Sequence, residues 1–362
     1  METAQPIPAV VIQPVLSPWR LFWQRLKRRK IAMTGAWILA VLYTLAIFAG
    51  FVAPYRYDAI HDNAFFHPPA WPRFHALHLV VPRSKTLPGE FAYQEISGDT
   101  KPLRFFVRGG AYQLFGVIPC SVHLFGTGDD NYPVYLFGAD QFGRDILSRL
   151  LYGSQISLSI GIVGILLSFS LGMIVGGIAG YFAGATDTMI MRLCELIMSI
   201  PALYLIISLR NTFPPGMSSS QIYAMIVVIL SFIGWASMAR VIRGMALSLR
   251  EQQFVLAARA LGQSHLKVIV RHVLPNTLSY VIVAATLSVP YYILGEVVLS
   301  FLGVGIQEPQ ASWGNMLTAA QNTEYLKNYP WLLAPGAAIF VTVLAFNFLG
   351  DGLRDAADTK SD

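Results

Sequence analysis

Charged residues are scarce in this chain of 362 residues. Asp, Glu, Lys and Arg together make up 13% of it, whereas soluble domains carry about 25%. Hydrophobic residues account for 54%, and the mean hydropathy is +0.52. This composition excludes an ordinary soluble enzyme and indicates a protein that crosses a membrane several times.

Cysteine is nearly absent, and so are the motifs of nucleotide and metal chemistry. Cys120 lies in a polar loop and Cys194 in an apolar run, so we expect no disulfide. The sequence contains no Gly-x-x-x-x-Gly-Lys-Ser/Thr loop, which would cradle phosphates, and no nucleophile paired with a base. We therefore predict that the chain is not an enzyme, has no catalytic residues and binds no cofactor or ATP.

Most of the histidines lie in the long polar stretch that follows the first apolar run. Five of the seven are there: His61, His67, His75, His78 and His123. His75 and His78 have the spacing of two metal ligands, but a zinc site needs three or four. We predict solvated loop histidines and no metal. A metal bound by His75 and His78 would instead favour a membrane enzyme with its site in residues 54–150.

Positive charge is concentrated where polar segments meet apolar runs. The net charge is +6, and residues 19–30 alone carry six Lys and Arg interleaved with aromatic and leucine residues. This is the positive-inside pattern rather than a nucleic-acid-binding surface. We expect residues 1–30 to form a cytosolic tail with an amphipathic helix on the inner membrane surface. Residues 31–53 carry no charge and predict the first transmembrane helix.

Five further apolar runs predict five more transmembrane helices. They lie at about residues 156–182, 189–209, 221–238, 277–301 and 330–349. Six spans would leave both termini in the cytoplasm and residues 54–150 outside, as a loop insert that ends in a helix. Within this insert, residues 103–107 and 134–137 are expected to form short strands. A long loop that is not disordered in composition is usually functional, and we expect it to contact an external solute-binding protein.

Small residues recur every fourth position from 164 to 184, in and just after the second predicted span. They are Gly164, Ser168, Gly172, Gly176, Gly180 and Gly184. Small residues at this spacing allow two helix backbones to approach closely in lipid. We interpret this pattern as a packing surface rather than a ligand site.

The loop before the fifth span contains an unusual short segment. Ala257, Ala258 and Leu261 lie at i, i+1 and i+4, which places them on one side of a short helix. Gly262 is expected to end or bend that helix, and a basic stretch follows that Pro275 closes. A short helix with a small-residue face on the basic side of the membrane is suited to docking into a partner's groove.

This segment resembles a family signature. Ala257-Ala258-x-x-x-Gly262, followed by Leu274-Pro275, is similar to the coupling-helix signature of binding-protein-dependent ABC importer permeases. Leu256 replaces the leading Glu of that signature. The local string is most similar to the dipeptide/oligopeptide/nickel branch.

Three other motifs extend the resemblance to a "C"-type peptide permease, over about residues 19–58 and 137–358. They are Gly138-Ala139-Asp140-x-x-Gly143-Arg144-Asp145, Met191-Arg192-x-x-Glu195-x-x-x-Ser199-Ile200-Pro201 and Gly295-Glu296-x-x-Leu299-Ser300-Phe301-Leu302-Gly303-x-Gly305. In the first, Ala139 replaces the usual Thr, and Asp145 is expected near the start of a helix. Residues 59–136 lie outside the resemblance.

The resemblance implies an all-α polytopic membrane protein with six transmembrane helices in the ABC importer type I permease fold. It divides the chain into five parts. They are a cytosolic tail with a surface helix (1–30), the first transmembrane helix (31–53), the external loop insert with its entry helix (54–150), the permease core with a coupling loop at 240–275 (151–350) and a second cytosolic tail (351–362). It implies a permease subunit that moves peptides across the bacterial inner membrane by alternating access. The implied partners are a second homologous permease, two ATP-binding subunits, an external solute-binding protein and membrane lipid, with no nucleic acid.

The resemblance also implies site residues. Those expected to contact the ATPase subunits are Ala257, Ala258, Leu261, Gly262, Arg259, His272 and Pro275. Bulk at this site, as in Ala258→Trp, should break coupling and leave folding intact. Arg192 and Glu195, at i and i+3, are expected to form a structural charge pair. Glu296 is expected near the outer face as a partly hydrated carboxylate, with a gate or a binding-protein contact as alternatives.

Two alternative functions stay open at this point. The same machinery would serve for nickel or another small solute. A stand-alone secondary transporter would show inverted repeats and charges near the membrane midplane. Here the charges lie near the ends of the spans, which favours the importer subunit.

Overall fold

The computed structural model describes residues 17–75, 78–86, 93–129, 131–201 and 216–358, and residues 204, 205, 207, 208, 212 and 214. The predicted tail at residues 1–16 and the end of the C-terminal tail lie outside the described residues. So do residues 202, 203, 206 and 209 of the predicted third span.

The chain begins with three consecutive helices: α1 (Pro18–Arg28), α2 (Lys30–Ile47) and α3 (Ala49–Val52). Helix α1 is amphipathic, as predicted: Leu26 is buried, whereas Lys27 and Arg28 are exposed. Helices α2 and α3 together match the predicted first span, with a break at Phe48.

The long loop after α3 folds into two antiparallel sheets, so the chain is mainly helical rather than all-α. The first sheet has the order β1 (Arg73–His75), β2 (His78–Thr86), β3 (Tyr93–Pro102), and the second pairs β4 (Arg104–Leu114) with β5 (Ile118–Gly126). The strand predicted at 103–107 forms within β4. The one predicted at 134–137 does not form, because that segment turns back toward the next helix.

The rest of the described chain is mainly helical, with helices of very different length. They are α4 (Ile146–Phe182), α5 (Gly184–Ser199), α6 (Ser219–Leu249), α7 (Gln253–Ala260), α8 (His265–Val268), α9 (Leu278–Phe301), α10 (Trp313–Met316), α11 (Thr323–Asn328) and α12 (Ala334–Ala357). Short helical turns at Ile269–Val273 and Leu274–Thr277 join α8 to α9. Two more, Leu317–Gln321 and Pro330–Leu333, lie on either side of α11.

Within the described residues, five helical stretches are long and apolar enough to cross a membrane. They are Lys30–Ile47, Ile146–Phe182, Ser219–Leu249, His265–Phe301 and Pro330–Ala357. Each covers most of one predicted span. The predicted third span corresponds to α5, which ends before Pro201, because proline disfavours a helical residue in front of it.

Glycines allow the central helix α4 to approach its neighbours closely. A Cβ at Gly176 would lie 2.4 Å from the carbonyl oxygen of Ala239, and one at Gly164 would lie 2.6 Å from the Tyr292 ring. The small-residue repeat therefore packs α4 against α6 and α9, as predicted. The main apolar core lies among α2, α4, α6, α9 and α12.

Candidate functional site

Helix α7 lies in the loop that connects α6 to α9, which we call the connecting loop (residues 250–277). One face of α7 is buried: Val255 is 0% exposed and Ala258 is 4% exposed. These two side chains pack in a small apolar cluster with Tyr181, Ala246, Val268, Ile269 and Val273. The cluster seats α7 against the ends of α4 and α6.

The opposite face of α7 points to solvent. Ala257 and Arg259 are exposed, Leu261 is 82% exposed, and Phe254 and Leu256 are also exposed. Single exposed apolar side chains are common on protein surfaces, but Phe254, Leu256 and Leu261 all lie on this one short helix. A group of exposed apolar side chains marks an interaction site. This face is the candidate docking surface.

The orientation of α7 corrects the predicted docking residues. The sequence placed Ala257, Ala258 and Leu261 on one docking face, but Ala258 is buried in the apolar cluster. We therefore expect Ala258→Trp to disturb the packing of α7, because an indole would replace a methyl group inside this cluster. Ala257 and Leu261 are the exposed members of the set.

Helix α7 ends where the sequence predicts. Leu261 is the C-cap residue, and Gly262 has a φ of +78°, a conformation that glycine adopts without a steric penalty. Nothing lies within 4 Å of a Cβ built at Gly262. Backbone conformation, rather than lack of space, therefore favours glycine here.

Polar contacts hold the connecting loop in place. His272 Nε2 lies 3.0 Å from Gln263 Oε1, and His265 Nδ1 lies 3.0 Å from the Tyr181 hydroxyl at the end of α4. Arg250 Nη1 also donates to the Tyr181 carbonyl oxygen at 3.4 Å. His272 thus supports the turn after α7 from behind and does not line its exposed face.

A charge pair lies beside the loop. Arg243 on α6 donates to both carboxylate oxygens of Asp187 on α5, at 2.8 and 2.5 Å. The Arg243 guanidinium holds the pKa of Asp187 below its usual range. This bidentate pair joins the ends of α5 and α6 next to the connecting loop.

Pro275, the last residue of the basic stretch, does not interrupt the helix in which it lies. The chain is helical from His265 to Phe301, and Pro275 lies in the helical turn that leads into α9. Proline has no N–H to donate to the preceding turn. The helix accommodates it by widening over Ile269–Val273, where the Leu274 N–H reaches back to the Ile269 carbonyl oxygen.

Arg192 and Glu195 lie on α5, away from the connecting loop. Arg192 Nη1 donates to Glu195 Oε2 at 2.7 Å, the contact that the i, i+3 spacing predicts. Both side chains are exposed, at 77% and 52%. The buried side of α5 is formed by Cys194 and Ile197, so the pair lies on the outer surface of the helix.

Glu296 is not the partly hydrated carboxylate that was predicted. It is fully buried on α9, where the Ser157 and Ser300 hydroxyls donate to its two oxygens at 2.8 and 2.7 Å. The Trp313 N–H donates to Ser157 at 3.2 Å. The turn of α10 covers this region because Gly314 lets it approach the α9 backbone at Val297, a contact that sequence spacing does not reveal.

A second polar site, which sequence reasoning missed, lies at the start of α4. We call it the arginine cluster: Asp140, Arg144, Arg149 and Glu308. Arg149 Nη2 donates to Glu308 at 3.0 and 3.1 Å, and Arg144 donates to Glu308 at 2.5 and 3.1 Å and to Asp140 at 2.8 Å. Both guanidiniums are buried. Asp140 and Arg144 belong to the motif that precedes α4, but only the fold brings Glu308 across 159 residues to Arg149.

Beside the cluster, Asp145 caps the N-terminus of α4, as its position predicted. Its carboxylate accepts from the Ser148 N–H at 2.7 Å and from the Ser148 hydroxyl at 2.6 Å. Burial raises the pKa of Asp145 to about 7, against the lowering effect of these hydrogen bonds. A cavity of about 180 Å³ adjoins the cluster.

Two of the loop histidines are not solvated, contrary to the prediction: His67 is 6% exposed and His123 is 1% exposed. Among the described residues, no group of three or more His, Cys, Asp or Glu side chains is placed to hold a metal ion. His67 and His123 contact backbone carbonyl oxygens. His75 at the end of β1 and His78 at the start of β2 are cross-strand partners.

The fold and the connecting loop define a helical membrane protein with a short, half-exposed helix, α7, at one end of its bundle. Residues 172–361 match the family model described as "Binding-protein-dependent transport system inner membrane component". Residues 17–69 match "N-terminal TM domain of oligopeptide transport permease C". The chain belongs to the family of inner membrane components of binding-protein-dependent transport systems.

Two sequence relatives agree with this assignment. The chain is 34% identical to the dipeptide transport system permease protein DppC of Bacillus subtilis over 351 residues, 97% of this chain and 88% of the relative. It is 31% identical to the glutathione transport system permease protein GsiD of Escherichia coli over 354 residues, 98% of this chain and 94% of the relative. A solved MetNI methionine ABC transporter matches with a TM-score of 0.43 and 18% identity, over 57% of this chain and 95% of that one.

Proposed function

We propose that this chain is a permease subunit of an ATP-driven importer that carries peptides across the bacterial cytoplasmic membrane. Family membership and the similarity to permeases of dipeptide and oligopeptide systems support peptides as the substrate class. The chain would line half of the path, and a second homologous permease would line the other half. An external solute-binding protein would deliver the peptide.

We propose six transmembrane helices with both termini in the cytoplasm. The five long apolar helical stretches, together with α5, support this count. The basic residues of α1 and of the connecting loop support a cytoplasmic location for both. The β-sheets and the arginine cluster would then lie outside, as part of the insert at residues 54–150 and of the α9–α10 loop. The predicted contact of the insert with the solute-binding protein stays a prediction.

The observation that carries the ATPase-docking proposal is the exposed face of α7. Its buried face is packed in an apolar cluster, and its end is supported by His272 and Gln263. A force applied to α7 would therefore pass into α4 and α6 rather than bend a loose loop. We propose that one of two ATP-binding subunits grips Leu261 and its neighbours, and that closure of the ATPase pair moves these helices to alternate access between the two sides.

Gentle purification of the chain from its own membranes tests the assembly. We expect each copy of this chain to co-purify with one copy of a second permease and two ATP-binding subunits. A chain that purifies alone and transports solute without ATP would overturn the proposal in favour of a secondary transporter.

Reconstitution of that complex with its binding protein in vesicles tests the substrate. We expect ATP-dependent accumulation of a radiolabelled dipeptide and no accumulation of Ni²⁺. Uptake of Ni²⁺ without peptide uptake would contradict the substrate class and leave the assembly intact.

A further inference from the structure

Charge is unevenly divided between the two β-sheets of the loop insert. Strands β2 and β3 carry ion pairs such as Arg83–Asp99, and β3 pairs with Arg73 of β1 through Glu95. In contrast, residues 109–128, which include the end of β4, the turn and all of β5, contain no Asp, Glu, Lys or Arg. A hairpin that projects fully into water would normally carry charge on its exposed positions.

The uncharged part of the β4–β5 hairpin, residues 109–128, lies along the end of the first membrane span. His123 Nδ1 lies 2.6 Å from the Ala53 carbonyl oxygen, the Tyr112 ring lies against Gly50, and the Phe115 ring meets Phe48 with 5.7 Å between centroids. The hairpin therefore runs back along α3 with its turn pointing toward the span. Five residues at about 1.5 Å each place the turn about 7 Å closer to the membrane than Ala53.

The turn of this hairpin is apolar and exposed. Phe115 is 56% exposed, Val117 is 75% exposed and Ile118 is 49% exposed. Nothing lies within 4 Å of a Cβ built at Gly116, so the turn is open on that side as well. Phe48, which Phe115 contacts, is 39% exposed.

The exposed surface continues from the turn onto the membrane span. Trp37, Val41 and Ile47 of α2 are 69%, 54% and 50% exposed. A span needs lipid or protein against such residues, and the hairpin turn extends the same apolar surface beyond the end of the helix. Continuity with α2 and the absence of charge both favour lipid as the material that covers the turn.

We propose that the β4–β5 turn, Phe115 to Ile118, inserts into the lipid interface of the bilayer beside the first span. The hairpin anchors the loop insert to the membrane surface and leaves the charged β1–β3 sheet on the water side. This inference requires only that α2 spans the membrane, so it does not depend on the peptide-import function.

Spin labelling of the assembled complex in nanodiscs of phosphatidylethanolamine and phosphatidylglycerol tests the proposal. Val117→Cys carries the label at the turn, and Lys85→Cys on β2 is the matched control, both with Cys120→Ser and Cys194→Ala. At position 117, collisions with oxygen, which partitions into lipid, should exceed those with a water-soluble nickel chelate several-fold. At position 85 the ratio should be reversed.

Two results would overturn the proposal. If position 117 resembles position 85, the turn lies in water. If both relaxants are excluded from position 117, protein covers the turn, and the partner permease or the binding protein is the occupant. Ile118→Cys repeats the measurement if Val117→Cys fails to assemble, and the same ratios decide the outcome.

Discussion

Leu261 offers the most direct test of ATPase docking. Burying a leucine side chain stabilises a complex by about 1.5–3 kcal/mol. Since Leu261 is 82% exposed in the chain alone, its burial in an ATPase groove should contribute about 1.2–2.5 kcal/mol to the binding free energy. At about 1.4 kcal/mol for each tenfold change, Leu261→Gln should weaken ATPase binding roughly 7- to 60-fold.

Leu302 is a matched control for this substitution. It is also the C-cap residue of its helix, α9, it is 49% exposed, and Gly303 follows with a φ of +74°, as Gly262 follows Leu261 with +78°. Leu302 lies at the opposite end of α9 from the connecting loop. Leu302→Gln should therefore leave ATPase binding unchanged.

The assay titrates the purified ATP-binding subunits onto the permease pair in nanodiscs and measures the dissociation constant for each variant. The thermal stability of the permease pair is recorded in parallel, and we expect it to be unchanged because the Leu261 side chain makes little contact within the chain. Wild-type affinity for Leu261→Gln, or an equal loss for Leu302→Gln, would refute the docking argument.

Three further predictions concern packing and buried charge. Ala258→Trp should unseat the connecting loop and increase its proteolysis, because the side chain is buried, whereas Ala257→Trp should leave the loop folded and weaken only ATPase binding. Gly176→Ala should destabilise the bundle by about 1–3 kcal/mol, because the added Cβ would lie 2.4 Å from a backbone oxygen. Gly244→Ala should instead stabilise the bundle by roughly 0.5–1 kcal/mol, because nothing lies within 4 Å of a Cβ built at Gly244. Glu308→Ala should destabilise the permease by about 1–3 kcal/mol, less than the 3–5 kcal/mol typical of a fully buried pair, because its side chain is 44% exposed.

Thermal unfolding in nanodiscs measures the Gly176, Gly244 and Glu308 variants, and limited proteolysis measures those at Ala257 and Ala258. Equal protease resistance of the two tryptophan variants would contradict the burial of Ala258. A Gly176→Ala variant as stable as Gly244→Ala would contradict the close approach of α4 to α6. Unchanged stability of Glu308→Ala would mean that solvent, rather than Glu308, compensates the two buried guanidiniums.

Local chemistry made several features predictable from the sequence. Uncharged runs long enough to cross a bilayer predicted most of the helices, because hydropathy and length act within one segment. Asp145 was expected near the start of α4, and Gly262 at the end of α7, because both conformations depend on neighbours within a few residues. The four-residue spacing of small residues on α4 predicted close packing, because it leaves one side of that helix without bulky side chains.

The faces that residues present, and the partners they meet, depended on tertiary structure. Ala258 and Leu261 are neighbours on one short helix, yet only the cluster formed by α4, α6 and the turn after α8 decides that the first is buried and the second is exposed. The Glu296 carboxylate is shielded from solvent because α10 packs over it. A sequence pattern describes one element at a time, whereas burial is set by whichever distant segment packs against that element.

The charges show the same division most clearly. The sequence by itself determined that Arg144 and Asp145 introduce α4, and that Glu308 follows α9. Only the tertiary structure decided that Arg144, Arg149 and Glu308 form one cluster. The physical reason is that desolvating a guanidinium is costly unless a carboxylate lies within hydrogen-bond distance. The distance from Arg149 to Glu308 is set by the path of the whole chain between these two residues.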